Sequence, residues 1–145
     1  MVQSKLILAE FLPYQLSITS NAVSDLIARV YRGKFALKVP EWRLMAVLGE
    51  RASATQRELC EATAMDKVTV NRASKALEDR ALIGRAPNAV DGRSHHLALT
   101  TTGRELYEQI VPMALSVEAE LFASEDARAL EAMLTKLRAR VDEFG

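Results

Sequence analysis

Two helix starts set close together, at Thr55 and Asp66, constrain this chain more than any other feature. Thr55-Gln-Arg-Glu58 has the form of a capping box: the threonine oxygen accepts from the third amide and the glutamate reaches back to the cap. That predicts a short helix to about Thr63. Asp66 opens another, expected to run to about Arg80, and only Ala64-Met65 separates the two. Two short helices joined by so tight a turn, with a third before them, describe a helix-turn-helix. The third is expected over residues 41–50, where Pro40 suits a first helical position and Trp42, Met45, Ala46 and Leu48 form one apolar stripe.

The flanks complete the pattern. Residues 82–86 and 96–100 alternate around the turn residues Pro87-Asn88 and Asp91-Gly92, which predicts a β-hairpin. Thr102-Gly-Arg-Glu105 reads as a second capping box opening a long helix, in which Pro112 predicts a bend. Ser124 is expected to cap a last helix with Leu130, Met133, Leu134, Leu137 and Val141 on one face. Near the N-terminus, Leu6 through Val30 repeat at roughly helical spacing, and Pro13 predicts either a kink or a new start. The fold class is therefore mainly α with a small β-hairpin wing. A winged helix-turn-helix over residues 36–103 is flanked by helical regions at 1–35 and 104–145, within one 145-residue domain. These flanks hold more apolar surface than one small core needs, which predicts a homodimer.

Net charge is zero, yet its distribution is uneven. Residues 29–104 hold 14 Lys+Arg against 8 Asp+Glu, and residues 105–145 hold 4 against 9. A basic middle fits a polyanion partner and an acidic end fits other business. No apolar run is long enough to span a bilayer, so no membrane partner is expected. The N-terminus lacks an export signal, and the single cysteine, Cys60, cannot form an internal disulfide; a cytoplasmic location is expected.

On the helix after Asp66, Val70, Ala73 and Leu77 share one face, expected to be core. The opposite arc carries Lys67, Val68, Asn71, Arg72 and Lys75, with Thr69 at its flank. Arginine can bond guanine O6 and N7 together, asparagine can do likewise with adenine, and threonine or valine can touch a thymine methyl. Lys67 and Lys75 suit phosphates, which fix register without reading sequence. Arg93 on the hairpin tip is suited to a narrow minor groove, with Asp91 holding it or the loop, and Ser94 and His95 beside it. The partner predicted is double-stranded DNA.

These runs resemble the MarR family of transcriptional regulators. The resemblance rests on Thr55-Gln-Arg-Glu-Leu-Cys, Met65-Asp-Lys-Val-Thr-Val-Asn-Arg, Leu77-Glu-Asp-Arg-Ala-Leu-Ile-Gly-Arg, Asp91-Gly-Arg-Ser and Leu99-Thr-Thr-Thr-Gly103. It implies obligate homodimers on pseudo-palindromic operators, usually repressors relieved by a small-molecule inducer. It also implies recognition-helix contacts by Lys67, Thr69, Asn71 and Arg72 and wing contacts by Asp91 and Arg93. Two positions depart: Val68 replaces a small polar residue, and Ala81 stands where a glycine commonly ends the recognition helix.

Other chemistry finds little support. His95 and His96, adjacent on a strand, would point to opposite faces, so no metal site is expected. No nucleophile elbow, phosphate-cradling loop or carboxylate pair suggests an enzyme, and no cofactor is expected. For the effector, Phe11, Tyr14, Ile18, Trp42 and Arg43 are candidates to line a cleft between the first two helices. An arginine beside aromatics would suit an aromatic acid; plain core or dimer interface is the favoured alternative for the same residues. The alternative function is a winged-helix dimer acting as a protein–protein interaction module, supported by zero net charge and the acidic C-terminal third.

Overall fold

Thr55 and Asp66 open two helices in the way their side chains require. In the computed structural model, which describes residues 5–86 and 95–145, the Glu58 amide donates to Thr55 Oγ1 at 3.1 Å. The Thr55 amide returns a bond to Glu58 Oε1 at 2.9 Å. The Thr69 amide donates to Asp66 Oδ1 at 2.7 Å. The result is α3 (Gln56–Thr63) and α4 (Lys67–Asp79). Between them the chain turns through Ala64, at a left-handed φ of 57°.

Upstream lie a 3-10 turn at Leu8–Glu10, α1 (Leu12–Phe35) and α2 (Val39–Glu50). Pro13 stands in the first turn of α1, so it marks a start; its missing N–H would have had no helical partner there anyway. Pro40 begins α2 in the same manner. The buried side of α2 is wider than one stripe: Glu41, Leu44, Met45, Val47 and Leu48 are buried, while Trp42 and Ala46 are half-buried. With Leu37, Leu59, Val70 and Leu77 they form the core of the helix-turn-helix.

Strands β1 (Ile83–Arg85) and β2 (Leu97–Leu99) pair antiparallel, with Ile83 opposite Leu99 and Arg85 opposite Leu97. Leu97 also exchanges both backbone bonds with Ala54, at 2.8 and 3.0 Å, which ties the hairpin to the residue just before Thr55. The strands are each shorter than the alternating stretches suggested.

Helices α5 (Thr101–Leu121) and α6 (Ser124–Phe144) close the chain. Both of their caps differ from expectation. Helix α5 starts two residues too early for Thr102 to cap it. Thr100 does so, its Oγ1 accepting from the Gly103 amide at 3.0 Å. The reason is tertiary: the Thr100 amide is held by Leu82 O at 3.1 Å, and its hydroxyl donates to Ala81 O at 2.6 Å. Ser124 is likewise the first residue inside α6; the cap position is Ala123, with no side-chain bond. Helix α5 continues through Pro112.

The backbone forms two compact units, residues 1–108 and 109–145. The first contains the entire helix-turn-helix and the described part of the hairpin. The second contains the end of α5 and all of α6, whose Met133, Leu134, Leu137 and Val141 are exposed. Among the described residues, no helix is long and apolar enough to cross a membrane.

Candidate nucleic-acid interface

Helix α4 divides cleanly between core and solvent. Val70, Ala73, Ser74 and Leu77 are buried, so the remaining arc is turned outward by the 3.6-residue period. Lys67, Val68, Asn71, Arg72 and Lys75 are exposed and Thr69 is half-buried at the flank. The five exposed side chains thus lie on one surface, three cationic and one amide. Val68 is 59% exposed, an aliphatic side chain left without a fold-level reason. The base of this helix is electrostatically defined. The Thr69 amide holds the Asp66 carboxyl below the ordinary carboxylate range, helped by the Thr69 hydroxyl. A cap whose folded pKa is lowered stabilises above the unfolded carboxylate pKa, and that contribution fades as pH falls through the lowered value. Near neutral pH it is fully present.

Ser74 was not foreseen as core. It is 1% exposed and its Oγ makes no hydrogen bond. It continues the Val70–Leu77 face at helical spacing, so the periodicity alone could have found it.

The far end of α4 is set by three residues around one carbonyl. Ala81 adopts a left-handed φ of 57°, a conformation glycine takes more readily by about 1 kcal/mol. Leu82 O then accepts from Thr100 and packs against Gly103, where a Cβ would overlap it. The Leu99-Thr-Thr-Thr-Gly103 run is therefore the joint between recognition helix, wing and α5.

Of the predicted wing residues, Asp91, Arg93 and Ser94 lie outside the described residues. His95 is exposed at the wing root, its Nδ1 3.0 Å from Arg85 Nη2. Arg85 is an exposed cation there that sequence reasoning passed over; the signal was its place in the alternating stretch. His96 points elsewhere, with Nδ1 buried and unpartnered. Neither histidine is inside β2. Among the described residues, no group of three or more His, Cys, Asp or Glu could hold a metal.

The five candidate effector residues are not brought together within one protomer. Trp42 sits in an aromatic row, 5.1 Å from Tyr31 and 6.3 Å from Tyr107 between ring centroids. Phe11, Tyr14 and Ile18 occupy the other end of α1, exposed, and at 1.5 Å per residue about 20 Å of helix separates Ile18 from Tyr31. Arg43 is exposed; the Arg104 guanidinium lies 5.9 Å from the Tyr107 ring centre. Residue 49 is necessarily small because the Tyr107 ring covers it.

This arrangement matches known proteins. The model of the MarR family matches residues 37–94, from the start of α2 to the wing. The MarR/EmrR family transcriptional regulator from Acinetobacter sp. ADP1 shares the fold from end to end. Its TM-score is 0.85 at 27% identity, covering 95% of this chain and 99% of that one. The helix-turn-helix core matches the MarR family, and the fold is that of its regulators. A MarR-family transcriptional regulator, not an enzyme, is what these likenesses describe. The HTH-type transcriptional repressor NicR of Pseudomonas putida is 29% identical over 98 residues, 68% of this chain and 62% of NicR. The matched stretch thus spans less than two thirds of that relative. BpsR of Bordetella bronchiseptica, whose DNA binding is regulated by 6-hydroxynicotinic acid, has the same fold. Its TM-score is 0.82 at 20% identity, over 93% of this chain and 98% of BpsR.

Proposed function

We propose that this MarR-family regulator is a homodimeric, ligand-responsive repressor that binds a pseudo-palindromic DNA operator. The observation that carries the reading is the outward arc of α4, where Lys67, Val68, Asn71, Arg72 and Lys75 are exposed over a fully buried opposite face. Each protomer lays this helix in a major groove, the groove that admits one. Arg72 and Asn71 read base edges, Val68 meets a thymine methyl, and Lys67 and Lys75 hold phosphates. The wing, with His95 and Arg85 at its root, addresses the adjacent minor groove, for which Arg93 is the candidate from sequence. Two-fold symmetry sets half-sites about 10–10.5 bp apart.

Selection of genomic fragments by the purified protein, followed by footprinting, tests this. The expected result is protection of an inverted repeat. Arg72→Ala should then lose about 1–3 kcal/mol of operator binding and relax preference at one base pair per half-site. Retention of no sequence above a salt-sensitive background, or undiminished binding by Arg72→Ala, would sink the assignment.

The effector we propose is an aromatic acid held beside the Tyr31–Trp42–Tyr107 row, with Arg104 supplying the cation. An aromatic face and a nearby guanidinium suit a planar carboxylate. BpsR's regulation by 6-hydroxynicotinic acid supports this ligand class. Trp42 is the chain's single tryptophan, so its fluorescence reports the site directly. A panel of aromatic carboxylates should contain at least one that changes that emission saturably and releases operator DNA. Emission unmoved by every member would remove the row as the site.

A further inference from the structure

Arg80 lies just past α4, at its C-cap, and its exposed position invites a reading as one more cation for DNA. Its two terminal nitrogens are otherwise engaged. Nη1 donates to Ala36 O at 2.9 Å and Nη2 to Phe35 O at 3.2 Å, across 44 and 45 residues of sequence. Those two carbonyls belong to the C-terminal end of α1, where Ala36 turns the chain at a left-handed φ of 53°. Terminal carbonyls have no partner within the helix and carry the negative end of its dipole. A planar guanidinium is well matched to two adjacent acceptors, in a way an ammonium is not. The residue after Ala36 is the fully buried Leu37, so the carbonyls it grips are themselves anchored.

We infer that Arg80 is a positioning residue that fixes the angle of the recognition helix to α1, and through α1 the distance between the two half-sites that a dimer can read. The inference rests on the dimeric DNA-reading proposal. Helix α1 carries exposed apolar residues at its N-terminal end, Leu12, Leu16 and Ile18, which suit a partner chain, and it is gripped by Arg80 at the other. A single bidentate contact therefore links the helix that would meet the partner to the C-terminal end of the helix whose earlier turns would meet the bases. Stability depends on it little, since both groups reach water when the contact opens. The geometry of reading depends on it more.

The test uses operators with native spacing and with one base pair inserted between half-sites, titrated with the full-length protein at several salt concentrations. The parent should prefer native spacing clearly. Arg80→Ala should bind the native operator about tenfold more weakly, in the range by which coupling residues act. It should lose most of the preference between spacings while keeping the parent's salt slope. Arg80→Lys, which keeps the charge but not the fork, should recover only part of the spacing preference. Urea denaturation of each variant checks that the fold is intact, and Arg80→Lys carries the test if Arg80→Ala is not. A salt slope reduced by about one phosphate contact, with spacing preference unchanged, would make Arg80 a DNA ligand and overturn the inference. Unchanged affinity and spacing preference would also overturn it. A parent that selects no operator at all would bring down the DNA-reading proposal itself, a failure visible before any variant is compared.

Discussion

Gly103→Ala should destabilise the chain by about 3 kcal/mol, the upper part of the range for forced overpacking. The methyl group would overlap the Leu82 carbonyl oxygen and come within 2.9 Å of its carbon. Both are backbone atoms, held where they are because the same oxygen accepts from the Thr100 amide at 3.1 Å. A flexible side chain could swing aside; this peptide cannot move without breaking the joint between α4, the hairpin and α5. For a chain of this size the melting temperature should fall by roughly 10 °C. Thr102→Ala serves as the control: Thr102 is exposed and caps nothing, so its melting temperature should stay close to the parent's. Equal stability of Gly103→Ala and the parent would mean that Leu82 and Gly103 are farther apart than described.

The second large effect concerns assembly. Leu134 and Leu137 are 46% and 40% exposed on α6, beside Met133 and Val141. Aliphatic side chains on one helix face, in contact with water to this degree, mark an association surface. On the dimeric reading, Leu134→Glu combined with Leu137→Glu should give a monomer in sedimentation equilibrium where the parent is a dimer. Operator affinity should fall by about 10²–10⁴-fold, because the second half-site would no longer be bound at the high effective concentration that linkage supplies. A double variant that stays dimeric would move the interface to the exposed apolar end of α1. One that is monomeric and still binds at parental strength would end the two-half-site reading.

How much of this was legible in the sequence depended on how local the cause was. Thr55 and Asp66 announced themselves because a cap bonds to an amide three residues away, and nothing distant competes for it. Thr102 had an equally good local pattern and was still the wrong residue. The start of α5 is decided by Leu82 and Ala81, some twenty residues earlier in sequence, which claim both the amide and the hydroxyl of Thr100. The same distinction separates the site residues. Val70, Ala73 and Leu77 followed from helical period, and with them the outward arc. Arg80 did not, since its partners are Phe35 and Ala36, and no spacing rule connects them. The effector cleft was misdrawn for a related reason. Helical periodicity assigns a face but not a height, and Ile18 stands far along α1 from Tyr31, the residue against which Trp42 packs.

Helix α6 keeps none of its side chains buried within its own chain. An isolated helix of about twenty residues is marginal in water, and lasting helicity has to come from packing. On the dimeric reading, the last part of each polypeptide finishes folding only after it meets another copy. A solitary subunit is then exposed to proteases in a way that a paired one is not, and mass action decides which predominates. The paired form would then persist where the unpaired one is cleared, so concentration itself would set how long each copy survives.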